Sequence, residues 1–135
     1  MNPKEFLQQA YYAQREVDIK LEQIIRLQSL ATKTTSTLKN VPCGKSLCSV
    51  VENAVTSIEE QTTRLANEVK KMLEVIEKIS ATISLVENPQ ERIILKYRYL
   101  CCLPWATIAF LVKASERNVF LIHNQALKNF SNVLQ

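Results

Sequence analysis

Few side chains in this 135-residue chain are suited to bond-making chemistry. There is one histidine, His123, and there are four cysteines, Cys43, Cys48, Cys101 and Cys102. A lone imidazole leaves few ways to build nucleophile–base catalysis, and the sequence supports no such pair. The 13 carboxylates are scattered, and no pair sits in an apolar setting that would separate two pKa values for acid–base work. Cys43-x4-Cys48 and the adjacent Cys101-Cys102 do not match zinc spacings. They read as buried or incidental thiols, with a non-functional Cys43–Cys48 disulfide as the oxidised alternative. One glycine leaves no phosphate-cradling Gly-rich loop. The expectation is a protein that is not an enzyme and has no cofactor, metal or small-molecule substrate. His123 reads as a packed or hydrogen-bonded residue.

A different chemistry is available in the last third of the chain. Arg117 and Asn118 open a helix, and these two residue types can bond guanine O6/N7 and adenine N6/N7 bidentately. Asn124 lies further along the same helix. Lys113 and Lys128 are candidate phosphate contacts, and Ser115 reads as a cap that leaves helix N–H groups near a phosphate. The charge distribution agrees with this placement. Residues 1–88 hold 11 Lys+Arg and 11 Asp+Glu, whereas the rest holds six cations against Glu91 and Glu116. The whole net charge of +4 therefore falls in the last third. Arg92, Lys96 and Arg98 belong to that excess. They could serve DNA or pair with Glu residues upstream.

The elements that must hold these residues are helical. Pro3 suits a first helical turn, and no Gly or Pro interrupts from there to about Thr32. Leu7, Ala10, Gln14, Val17, Leu21, Ile24, Gln28 and Ala31 form a seam. Residues 32–48 break the pattern, with a Thr-rich stretch followed by Pro42 and Gly44. Val51, Val55, Ile58, Thr62, Leu65, Val69, Met72, Ile76, Ile79, Ile83 and Val86 then repeat at 4, 3, 4, 3, which predicts a supercoiled helix. Together these predict an antiparallel coiled-coil hairpin over 1–87. Apolar residues are left on its outer faces, which favours a homodimer.

The segment 88–135 reads as three helices. Asn88 caps the first, Pro89 opens it, and Glu91 follows at its third position. Pro104 precedes a short helix over 105–112, Lys113-Ala114 makes a tight turn, and Ser115 caps a helix from Glu116 to about Asn132. A short helix, a tight turn and a longer capped helix make the layout of a helix-turn-helix. The predicted fold is all-α. No apolar run is long enough for a transmembrane span and no signal peptide opens the chain, so a cytoplasmic protein with no membrane partner is expected.

Here the residues resemble a known family. Glu91-Arg92 through Arg98-Tyr99 is similar to the "ER-x-x-L-x-x-RY" helix of sigma-70 region 4. Pro104-Trp105-Ala106-Thr107-Ile108-Ala109 resembles its "x-S/T-x-x-E-I-A" segment. Ser115 through Val119, followed by Ala126-Leu127, resembles its recognition helix. With Trp105 and His123 the pattern is closer still to small phage-encoded, sigma-70 region 4-like regulators, which also carry a long helical N-terminal part with a Thr-rich break. The resemblance implies sequence-specific binding to double-stranded DNA in a phage or prophage transcription programme, in concert with host RNA polymerase. It implies an activator or polymerase partner rather than a complete sigma factor, because region 2 has no counterpart.

Four positions depart from the pattern. Lys113 stands where the turn usually has Gly, at about 1 kcal/mol if φ is positive. Thr107 replaces an acidic residue. Phe120 and Leu121 replace Arg and Gln, so either Phe120 packs on the N-terminal hairpin or this face binds protein. Two alternatives follow: a polymerase-binding protein without DNA readout, and a small terminase-like DNA-packaging component. The residues Trp105, Ile108, Ala109, Val119, Ile122, Ala126 and Leu127 are expected to form the motif core, and Tyr97 and Tyr99 to pack.

Overall fold

A computed structural model describes residues 2–40 and 44–135. The described residues are helical, with no strand. In order they are α1 (Pro3–Asn40), α2 (Lys45–Ile83), α3 (Pro89–Leu95), α4 (Trp105–Val112) and α5 (Glu116–Leu134), and α3 runs on into a π-helical turn over Lys96–Leu100.

Helix α1 does not stop at Thr32. The hydroxyls of Thr32, Thr34 and Thr35 donate to the carbonyls of Gln28, Leu30 and Ala31, four residues back. The side chains that would compete for the backbone outside a helix instead bond within it. The helix consequently runs through to Asn40, and α2 begins at Lys45, so both enter the segment 32–48 that composition marks as a break. Val41, Pro42 and Cys43 lie outside the described residues. Cys48 is disulfide-bonded; Cys101 and Cys102 carry reduced thiols, and the Cys102 Sγ lies 3.7 Å from the Tyr11 carbonyl.

The 4, 3 repeat of α2 is a covered stripe. None of its eleven positions is exposed, from Val51 to Val86. The stripe on α1 differs from the predicted seam in its second half. Leu21 and Gln28 are exposed, while Lys20 and Leu27 are half-buried in their place. Lys20 pairs through its Nζ with Glu68 at 3.1 Å.

The chain packs as two compact units, one of residues 1–16 with 72–135 and one of residues 17–71. These limits do not follow the 87/88 boundary drawn from charge and motif. In the first unit, Leu7 and Ala10 of α1 share a core with Ile79, Ile83 and Val86, with Leu95 and Tyr99, and with Ala126 and Phe130 of α5. Full burial of Phe130 and the two isoleucines contributes about 1.5–3 kcal/mol each. In the second unit, Val17, Ile58 and Val69 are buried.

Candidate nucleic-acid interface

Local sequence fixes where α3, α4 and α5 begin and end. The Asn88 carboxamide oxygen accepts from the Gln90 N–H at 2.9 Å and the Glu91 N–H at 3.5 Å. Pro89 follows in the first turn, where its missing N–H costs nothing. Pro104, extended at ψ 153°, precedes α4. Lys113 ends α4 in the left-handed region at φ 56°, ψ 46°. The Ala114 N–H reaches back to the Ala109 carbonyl at 3.0 Å, which closes a Schellman-type end. The Ser115 hydroxyl then accepts from the Asn118 N–H at 3.1 Å and starts α5.

A second core locks these helices together. Ile94, Ile108, Ala109 and Val119 are buried, with Tyr97, Leu103, Trp105, Val112, Ala114 and Ile122 packed around them. Ala109 is 5 % exposed against these neighbours, which leaves no room for a larger side chain. Ala126 and Leu127, expected in this core, belong instead to the cluster around Phe130.

The core leaves a polar surface. Lys113, Ser115, Arg117, Asn118, Asn124 and Lys128 are all exposed. Arg117, Asn124 and Lys128 share one face of α5 with Leu121, at spacings of 4, 3 and 4. Asn118 and Lys113 line a groove of about 410 Å³ with Ile93, Leu111 and Ile122. Phe120 does not need a partner on the N-terminal helices: its ring lies 4.9 Å from that of Trp105 on α4. Among the described residues, Phe110 is the most exposed large apolar side chain, at 82 %.

The cations of the preceding helix have inward tasks. Arg92 donates to the Val86 carbonyl at 2.8 Å and to the Glu87 carbonyl at 3.5 Å. It thereby serves carbonyls beyond the last turn of α2, and not a carboxylate. Arg98 donates to the Leu103 carbonyl at 3.0 Å, and its guanidinium lies over the rings of Trp105 (4.6 Å) and Tyr11 (5.4 Å). Lys96 is half-buried.

The buried polar groups are paired. Tyr99 Oη and His123 Nε2 are 2.8 Å apart, and the Trp105 ring meets the imidazole edge-on at 4.7 Å. Burial, and secondarily the charges of Lys4 and Arg98, pull the His123 pKa down to about 4. Burial pushes Tyr99 up to about 12, against a smaller opposing pull from Arg98. At neutral pH the pair is an uncharged hydrogen bond. Glu91, 3 % exposed, accepts from Asn129 Nδ2 at 2.9 Å on both oxygens. Sequence reasoning did not find the Glu91–Asn129 pair or the Arg98 plate. Each joins residues far apart in the chain, and no local spacing marks them.

Among the described residues no three His, Cys, Asp or Glu side chains are grouped to hold a metal ion, and no helix is long and apolar enough to cross a membrane. Comparison with protein-family models, with curated proteins and with solved structures finds no match to this chain.

Proposed function

We propose that the chain is a sequence-specific DNA-binding regulator of phage or prophage transcription that acts with host RNA polymerase. The observation that carries this reading is the assembly of α4, the left-handed Lys113 and the Ser115-capped α5 on one core, with their polar residues turned outward. In such a unit the start of the second helix enters the major groove. Arg117 and Asn118 then read base edges, with Asn124 nearly two turns further on. Lys113 and Lys128 neutralise phosphates, and the Ser115 end of α5 points N–H groups at the backbone. A homodimer presents two such helices to two half-sites, in keeping with a cytoplasmic regulator.

Gel shifts against the promoter regions of the encoding genome test the reading. The Arg117→Ala, Asn118→Ala double variant should lose sequence preference by about tenfold or more, while salt-sensitive non-specific binding persists in part. Wild-type protein that binds no DNA at low salt refutes the proposal.

The exposure of Phe110, together with Leu121 in the middle of the polar stripe, favours a second reading, in which this face binds the polymerase and not DNA. Retention of host polymerase on the immobilised protein, lost on Phe110→Ser and independent of DNA, would select it.

A further inference from the structure

A cavity of about 350 Å³ opens between the start of α1 and the helix-turn-helix segment, inside one packing unit. Tyr11, Tyr12, Tyr99 and Trp105 give it aromatic walls, and His123 and Gln8 add uncharged polar groups. Lys4 and Arg98 also line it, and no carboxylate does. Two positive charges thus meet at a concave surface whose lining offers no counter-charge. Both are close enough to contribute to the depressed pKa of His123.

The arrangement is preorganised. Arg98 is held by the Leu103 carbonyl and by the rings of Trp105 and Tyr11. Tyr11 is fixed in turn by Arg15, whose guanidinium reaches its hydroxyl at 3.1 Å. Groups positioned before a ligand arrives need not be ordered by it, which raises affinity. The volume falls at the lower end of small-molecule sites, and such sites combine aromatic walls with a few placed polar groups.

We propose that this cavity binds a small anion with a flat aromatic body. Its acid group is held by Lys4 and Arg98, and its ring lies against Trp105 and the tyrosines. The acid is a carboxylate or a phosphate, since both accept from a guanidinium and an ammonium. This goes beyond the DNA reading and does not depend on it.

Trp105 is the only tryptophan in the chain, so its fluorescence reports on this cavity and the core beside it, and calorimetry separates the two. The full chain, without DNA, is titrated with benzoate and with adenosine monophosphate, and with benzyl alcohol and adenosine as uncharged counterparts. Calorimetry runs alongside. Saturable binding of at least one acid, weaker by about tenfold or more for its uncharged counterpart, is the expected result. A response to benzoate alone assigns a carboxylate ligand, and a response to adenosine monophosphate alone a phosphate one. Lys4→Gln and Arg98→Gln should each weaken binding by about tenfold or more, with circular dichroism confirming the fold. Lys4 is exposed, so its variant remains informative if Arg98→Gln unfolds. The proposal is overturned if neither acid binds, if uncharged counterparts bind equally, or if a folded variant binds like wild type.

Discussion

The two packing units are built partly from the same two helices, yet they bury different amounts. Among the described residues, thirteen hydrophobic side chains are buried in the unit formed by residues 1–16 and 72–135, against three in the unit formed by 17–71. The 4, 3 repeat of α2 runs unbroken through both. Its positions are completely covered at Ile79 and Ile83, where α5 supplies Ala126 and Phe130. They are only partly covered at Val51, Val55 and Leu65. Periodicity states which face of a helix can be buried, and the number of neighbouring elements decides how far it is. The smaller unit accordingly leaves Ile19, Ile25, Leu30 and Val50 about half exposed or more.

The contrast breaks most easily in the cores. Phe130→Ala should cost about 3–5 kcal/mol, and Ile58→Ala about 2 kcal/mol, in chemical denaturation. Equal losses would mean that the two units depend on burial to the same degree.

The only histidine sits in the larger unit and sharpens the comparison through pH. Its folded pKa of about 4 lies below its unfolded value of about 6.5. The unfolded chain therefore takes up the proton first as pH falls. This stabilising contribution is complete above about pH 6.5 and is lost progressively toward pH 4. Amide exchange between about pH 7 and pH 5 should accelerate over 72–135 and stay flat over 17–71, after correction for the intrinsic rate. His123→Gln, which keeps a hydrogen-bonding group and cannot titrate, should remove the difference.

The smallest effect concerns the turn. Lys113→Gly relieves a left-handed residue and should stabilise the larger unit by about 0.5–1 kcal/mol in thermal melts. The smaller unit should not respond. A loss of stability would mean that the Lys113 side chain contributes more than its backbone costs.

Much of this arrangement was legible in the residues. The starts at Asn88 and Ser115, the helix over 105–112 and the turn at Lys113 all follow from local capping rules. The covered stripe of α2 follows from its repeat. The extension of α1 beyond Thr32 was not legible, because Thr side chains stabilise or break a helix according to whether they bond the preceding turn. The seam of α1 shifts to Lys20 and Leu27, and Lys20 pairs there with Glu68, a partner 48 residues away that no local spacing reveals. For the candidate interface, the place of Lys113 in a turn and of Ser115 at a helix start was legible, and all six polar residues are exposed. The inward roles of Arg92 and Arg98 did not, since a count of charges carries no direction.

The π-helical turn at Lys96–Leu100 has a consequence of its own. The Cys101 N–H bonds the Lys96 carbonyl five residues back at 3.0 Å, so the helix holds one residue more than an α-helix of that length. It behaves as a one-residue insertion hidden inside an unbroken helix. In a helix of regular pitch the same letters would be rotated by about 100°. Arg98 would then continue the line of Glu91, and Tyr99 would turn away from His123. Deleting one residue ahead of Tyr99 within this turn would restore regular pitch and leave Tyr99 toward His123, so a comparison of letters through 91–99 with a helix of regular pitch matches residue types without matching the directions in which they point.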